Sequence, residues 1–276
     1  MRLRLLCVAL PLLAQTREPQ AHQKLIPTLW VQTSIEWRAS CRQTFLAARR
    51  GLDAALADPS WTAAAEQSGA SPERLRELPA AVIVDVDETL LDNSPGQARQ
   101  VKAGSGFDPK MWHQWVAEGR AEPLPGALSF CRYAASRGAT IFYVTNREAQ
   151  HEAATRANLR KHGFPLALTT DAVLCRGERP DWTSDKSSRR ALIASTHRIL
   201  LVVGDDLGDF LAGARTNMEN RRVLAAPYEE YWGLKWFILP NPVYGSWEEA
   251  LYQEGGTNDP AEQLNRKLGA IRTVDP

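Results

Sequence analysis

Two aspartates one residue apart, Asp85 and Asp87, stand where the apolar run Val82-Ile83-Val84 gives way to polar sequence, and Glu88, Thr89 and Asp92 follow. At the end of a buried parallel strand, this spacing aims one carboxylate into a cleft and turns the second beside it. Asp85 is then suited to attack phosphorus and carry a phosphoryl group as an aspartyl-phosphate. Asp87 is suited to protonate the leaving oxygen and then deprotonate the attacking water. Like charges this close repel, so the pair calls for a cation. A charged turn at a strand end is the competing reading of D-x-D-x-T taken alone.

The pattern recurs downstream, where Ile199-Leu-Leu-Val-Val runs into Gly204-Asp205-Asp206-Leu207-Gly208-Asp209. Asp205 can join Asp85 and the backbone carbonyl of Asp87 around a hard divalent ion, with waters and a substrate oxygen completing an octahedron. That is Mg2+ chemistry, in contrast to the His/Cys sets of zinc. Asp209, across a glycine-mediated turn, can hold ligand waters or orient a lysine, and Asp206 reads as a solvated turn residue. Between the two acidic strand ends lies another apolar strand, ending in Thr145-Asn146-Arg147. The Thr145 hydroxyl and Asn146 amide can donate to phosphate oxygens; an ordinary turn is the alternative. Lys186, at the start of a helix, is either a solvated charge or the group that neutralises a transferring phosphoryl and pairs with Asp85.

Elements that would position these residues follow from periodicity. Apolar residues from Thr28 to Leu52 recur at helical spacing, which predicts one long amphipathic helix with Trp30, Trp37 and Phe45 as packing residues. A second helix over 72–78 leads through Pro79 into the Asp85 strand. The cluster Asn93-Ser94-Pro95-Gly96 reads as a turn, and 107–116 as a capped helix. That insertion would overlie the carboxyl end of the sheet, where Trp112 either walls a substrate pocket or packs within a helical subdomain; packing is the reading for Trp115. Helix 127–137 closed by Gly138, strand 139–147, helix 148–162 closed by Gly163, and a short strand at 172–175 continue the order. His151 and His162 read as solvated helix residues. The stretch 231–247 holds a last short strand and a Pro/Gly loop, followed by a helix over 248–252. Tyr244 or Trp247 on that loop offers a second aromatic wall opposite Trp112, although packing is favoured for Trp247. Beyond Gly255 the polar tail, 256–276, should fray.

Strand–helix–strand order makes the fold class α/β: a Rossmann-like parallel sheet flanked by helices, with a smaller helical subdomain from about 25–78 and 93–122. At 276 residues and a net charge of +1, the chain has room for a sizeable core and carries no field that would recruit nucleic acid. Any anionic substrate must be held locally. Met1, Arg2 and Arg4 precede the apolar stretch Leu5–Ala14, a pattern that predicts an export signal over 1–14 and a periplasmic or secreted protein. Leu6 stands where lipid attachment at Cys7 would want a small residue, so a lipid anchor is the lesser reading. Cys41, Cys131 and Cys175 then remain, an odd count that argues against a full disulfide framework.

Taken together, Asp85-Val-Asp87-Glu-Thr89, Thr145-Asn-Arg, Lys186 and Gly204-Asp205-Asp206-Leu-Gly-Asp209 resemble the haloacid-dehalogenase (HAD) superfamily of phosphohydrolases. More narrowly, 30–38, Asp92-Asn93-Ser94, Trp112-x-x-Trp115-Val116 and Leu239–Trp247 resemble the class C bacterial acid phosphatases, the lipoprotein e or 5′-nucleotidase group, over roughly residues 25–255. That resemblance implies a Mg2+-dependent phosphomonoesterase with Asp85 as nucleophile and Asp87 as acid/base. It implies Asp85, Asp87 (through its carbonyl) and Asp205 as metal ligands with Asp209 in support, Thr145 and Lys186 holding the phosphoryl group, and Trp112 and Tyr244 sandwiching a nucleobase. A nucleoside monophosphate or similar phosphomonoester is the implied substrate, and a homodimer the implied assembly. A phosphotransferase using the same intermediate is a second reading. A non-catalytic storage or ligand-binding protein on this scaffold is a third, whose mark would be a lost nucleophile; Asp85, Asp87, Lys186 and Asp205 are all present.

Overall fold

The computed structural model describes residues 19–252, 256–257 and 259–274, with side chains from residue 23 onward. The export segment 1–14 and Cys7 lie outside the described residues. In chain order the elements are α1 (Pro19–Thr33), α2 (Ile35–Ala57), α3 (Pro72–Glu77), β1 (Ala80–Val84), β2 (Leu91–Asp92), α4 (Ser94–Ala103) and α5 (Pro109–Glu118). There follow β3 (Glu122–Pro123), α6 (Ala127–Ser136), β4 (Thr140–Glu148), α7 (Glu152–His162), β5 (Val173–Arg176), α8 (Ser187–Thr196) and β6 (Arg198–Gly204). The last are α9 (Met218–Ala225), β7 (Trp236–Ile238), α10 (Ser246–Glu249) and α11 (Pro260–Ala270).

Five strands form one parallel sheet in the order β5-β4-β1-β6-β7, and β2 pairs antiparallel with β3. The strand alternation divides the core into two layers. Val82, Val84, Ile141, Tyr143, Leu201 and Val203 face α2 and α6, through Trp37, Phe45, Leu52 and Phe130. Ala81, Ile83, Phe142, Val144, Ile199 and Val202 face the opposite side, with Ile193, Phe210 and Trp236. Each fully buried large apolar side chain contributes about 2 kcal/mol of transfer free energy. The chain runs from β1 outward through β4 to β5, then returns to the other side of β1 with β6. The resulting crevice lies between the carboxyl ends of β1 and β6, the ends that carry Asp85 and Asp205.

Several local expectations are revised. The single helix expected over 28–52 is two, because Ser34 adopts an extended conformation (φ −82°, ψ 141°) and its hydroxyl accepts from the Trp37 N–H at 3.1 Å, capping α2. Asn93-Ser94-Pro95-Gly96 opens α4, with Pro95 in the first turn where its missing N–H costs nothing. Strand β4 runs on to Glu148, so α7 begins later than expected. The tail forms helix α11, capped by the Asp259 carboxylate on the Ala261 N–H, and Lys267 reaches Glu248 and Gln23. Helix α1 packs on α4, and α2 joins the core of the sheet. Among the described residues no helix is long and apolar enough to cross a membrane, and Cys41, Cys131 and Cys175 are free and buried.

Gly51 lets α2 approach the sheet: a Cβ there would lie 2.8 Å from both the Leu234 carbonyl oxygen and the Phe237 ring. Overpacking of this kind costs about 1–3 kcal/mol, against about 1 kcal/mol gained in helix propensity. Gly51→Ala is therefore expected to lower the midpoint of thermal unfolding, while Gly69→Ala, with open space around its Cβ, leaves it nearly unchanged. Equal midpoints for the two variants would contradict this packing.

Candidate active site

At the crevice, Asp85 follows β1 directly and its N–H donates to the Val203 carbonyl of β6 at 2.9 Å, fixing the position of a buried carboxylate. The Lys186 ammonium pairs with Asp85 Oδ1 and, at 2.6 Å, with Asp209 Oδ1; all three side chains are buried. The other oxygen of Asp209 accepts the N–H groups of Asp205 and Asp206, each at 3.0 Å. Asp209 therefore orients the lysine with one oxygen and shapes the Asp205 turn with the other. A Cβ on Gly204 would collide with the Asp209 side chain, so this close approach requires glycine.

Helix α8, which begins after Lys186, is clamped by the next two arginines. Buried Arg189 donates to the carbonyls of Thr145 and Thr183 and to Asn146 Oδ1, and buried Arg190 pairs with Glu66 at 2.9 Å and donates to the carbonyls of Gly208 and Asp209. Asn146 in turn donates to the Ser184 carbonyl at 3.0 Å, so its side chain ties the β4 end to the Lys186 loop. Thr145 is fully buried, and its hydroxyl lies 3.4 Å from Asp87 Oδ2.

Asp87 is oriented by groups to which the sequence alone assigned no role. Oδ1 accepts from Arg147 Nη2 at 2.8 Å, Arg147 Nε at 2.9 Å and Asn93 Nδ2 at 2.8 Å, whereas Oδ2 has only contacts at 3.3 and 3.4 Å. Oδ2 is thus the more weakly held of the two oxygens. Asn93 also accepts from Trp115 Nε1 at 2.8 Å, and Trp115 packs, as expected. Glu88 occupies the left-handed region (φ +56°), uncommon for a residue other than glycine, and its buried carboxyl is held by the Asn93 N–H and the Tyr244 hydroxyl. Asp205 has the Thr89 hydroxyl at 3.1 Å and the Asn241 amide at 2.8 Å.

Four carboxylates, Asp85, Asp87, Asp205 and Asp209, thus face two cations, Lys186 and Arg147. Burial, aided by Asp209 and Asp87, pushes the Asp85 carboxyl up to about 7 despite Lys186. Burial and the Asp85 and Asp209 charges hold Asp205 well above the usual carboxylate range. Burial opposes the charge on Lys186, but Asp209 and Asp85 outweigh it and keep its pKa raised. One ammonium serves too many carboxylates, and the excess negative charge is what a divalent cation would neutralise. Carboxylate oxygens of Asp85, Asp205 and Asp209 lie within 4.8 Å of one another, a hard, all-oxygen donor set suited to a hard metal ion.

Residues 29–247 match the sequence model of the HAD superfamily, subfamily IIIB (acid phosphatase). The chain belongs to this family. Its fold superposes on the class C acid phosphatase of Bacillus anthracis with a TM-score of 0.80 and 35% identity, covering 93% of this chain and 99% of that one. A tungstate-bound structure of the Bacillus anthracis enzyme matches with the same TM-score at 34% identity, covering 92% and 99%. Among curated proteins, Acid phosphatase 1 of Solanum lycopersicum is 30% identical over 59% of this chain and 57% of its own length. The Stem 28 kDa glycoprotein of Glycine max is 28% identical over 59% and 58%. The match therefore spans less than two thirds of these plant relatives.

Around the crevice, the aromatic expectations divide. Trp112 is half-buried against the core, and Tyr244 is half-buried with its hydroxyl on Glu88. Trp247, expected to pack, is 44% exposed and lines an open groove of about 500 Å3 with Asp205, Asn241 and Leu239. Asp206, expected to be solvated, instead accepts from the Gly208 and Ser246 N–H groups and the Ser246 hydroxyl, pinning the 245–246 loop beside the turn. His162, also expected to be solvated, is mostly buried, with Nε2 3.0 Å from the Ala121 carbonyl.

The charge excess has a measurable sign. A carboxyl whose folded pKa lies above its unfolded value stabilises the fold fully below that unfolded value, and this contribution is lost as pH rises through the folded value. With Asp85 near 7, metal-free protein should lose stability between about pH 4 and 7. Added Mg2+ should raise the thermal midpoint more at pH 8 than at pH 5, relative to protein in chelator. An equal rise at both values would contradict the charge account.

Proposed function

We propose that this chain is a divalent-metal-dependent phosphomonoesterase working through an aspartyl-phosphate on Asp85. The observation that carries the reading is the buried triad Asp85–Lys186–Asp209 opposite Asp205, beside an Asp87 held firmly through Oδ1 and only by long contacts through Oδ2. Asp85, Asp205, the Asp87 carbonyl and Asp209 in support would hold Mg2+, which supplies charge neutralisation at the phosphoryl oxygens. Lys186 and the Thr145 hydroxyl bind the same oxygens.

In the first step an Asp85 carboxylate oxygen attacks phosphorus, the P–O bond to the leaving group breaks, and Asp87 delivers its proton to the departing oxygen. Asp87, now a carboxylate, takes a proton from water as that water attacks phosphorus. The bond to Asp85 breaks, and phosphate and the free carboxylate are regenerated. Arg147 and Asn93 orient Asp87 through both steps. Tungstate in the Bacillus anthracis relative, a tetrahedral oxyanion, supports an oxyanion site here. Half-buried Trp112 and Tyr244 support a flat leaving group such as a nucleoside, bound at its 5′-phosphate. The basic-then-apolar pattern of residues 1–14 supports action outside the cytoplasm.

Phosphate release from a nucleoside monophosphate should require a divalent cation, stop in chelator, and fall by about a thousandfold or more in Asp85→Asn. Asp87→Asn should cost roughly a hundredfold or more on the nucleoside monophosphate but far less in the burst of 4-nitrophenol from its phosphate, whose leaving group needs no proton. Equal losses on both substrates would remove Asp87 from the acid role, and retained activity in Asp85→Asn would remove the covalent mechanism.

A further inference from the structure

A second cluster of ligating side chains lies outside the acidic crevice. His113 on α5, Glu148 at the end of β4, and His151 three residues further along, on the turn before α7, place two imidazole nitrogens and a carboxylate oxygen within 4.8 Å of one another. The two rings stand 4.8 Å apart centre to centre at 57°, and His113 Nε2 is 3.7 Å from Glu148 Oε2. His151 Nε2 is shielded from solvent and has no hydrogen-bond partner, an unusual state for an imidazole nitrogen. Nothing in the phosphoryl-transfer reading uses these residues.

We infer that His113, Glu148 and His151 form a second metal site, selective for Zn2+ or a similar borderline transition-metal ion. Two neutral imidazoles and one carboxylate are a zinc-type donor set, unlike the all-oxygen crevice. In a tetrahedral zinc site the ligand atoms lie about 3.4 Å apart, within reach of these side chains by small rotations. Glu148 is already oriented as a metal-bound carboxylate should be: Arg176 donates to Oε1 at 2.6 Å and Gln150 to Oε2 at 2.6 Å, leaving a lone pair of Oε2 toward the histidines. Burial and the neighbouring His113 lower the His151 pKa, and the Gln150 hydrogen bond followed by Arg176 lowers that of Glu148. His113 and Glu148 side chains are more than a third exposed, so the ion can enter and a water can complete the fourth position.

Occupancy would tie α5, one residue from Trp112, to the end of β4, three residues beyond Thr145. Neither the site nor its test depends on the catalytic reading, because the readout is binding.

The test uses the untagged, isotopically labelled full chain saturated with Mg2+, titrated with ZnCl2, while the imidazole resonances of its five histidines are followed by NMR. The expected result is that His113 and His151 respond together at up to one equivalent, while His22, His162 and His197 do not. His113→Ala, His151→Ala and Glu148→Gln should each weaken Zn2+ at least about tenfold in competition with a chelating dye, a typical loss for a removed ligand or its support. A His197→Ala control should bind normally. Two results would overturn the inference: no response from the pair, or Zn2+ binding unchanged in His113→Ala and His151→Ala, which would assign the ion to the acidic crevice. Because the NMR experiment is done on the unmodified chain, poor folding of a variant does not leave the question open.

Discussion

The Lys186 ammonium, buried between Asp85 and Asp209, is the contact on which the remaining structure depends. Removing three charges from water is expensive, and a buried ion pair returns that cost only when every partner is hydrogen-bonded in good geometry. The surrounding fold supplies that geometry. Strands β1 and β6 bring Asp85 and the Asp205 turn to adjacent ends of the sheet, and Gly204 leaves room for the Asp209 side chain to turn back beneath the strand end. Arg189 and Arg190 fasten the start of α8 to the end of β4 and to the turn that follows β6, so that the lysine arrives from a rigid base. Even so, the carboxylates outnumber the cations, which leaves a cleft poised for a divalent ion and an anionic ester together.

Asp87 connects this centre to the segment that covers it. Its Oδ1 is held by Arg147 and Asn93, and Asn93 is held by Trp115, whose ring is so close to Gly96 that a Cβ there would lie 2.8 Å from it. The Asp87 carboxylate and the α4–α5 segment are therefore one hydrogen-bonded and packed unit. Trp112, on the same helix as Trp115, has its position set by the same contacts that orient Asp87. The Glu88–Tyr244 hydrogen bond makes a second connection, from the loop after β1 to the loop before α10. The Asp87 carboxylate and the helices that cover it are coupled through these few polar contacts.

What was legible in the sequence is what the strands dictate locally. Apolar runs that end in Asp85, Thr145 and Asp205 announced a parallel sheet and the end of it that carries chemistry, because period, burial and strand end are written in adjacent residues. Arg147, Glu88 and Asn241 carried no such signal. Their roles arise from partners 60, 156 and 36 residues away, and an arginine after Thr-Asn looks the same whether it meets solvent or Asp87. Asp206 misled for a related reason: its acceptors are filled by Ser246, 40 residues on. Helix ends failed where one side chain decided the matter, as at Ser34, or where a proline read as a turn residue proved to be the first turn of α4.

Quenching the enzyme in acid during turnover of a nucleoside monophosphate with Mg2+, then mapping the phosphoryl group by mass spectrometry, tests the central claim most directly. The account expects a phosphorylated peptide containing Asp85 that disappears on chase with unlabelled substrate and is absent from Asp85→Asn. Turnover at the normal rate with no phosphorylated Asp85, or with phosphate carried on another residue, would contradict it.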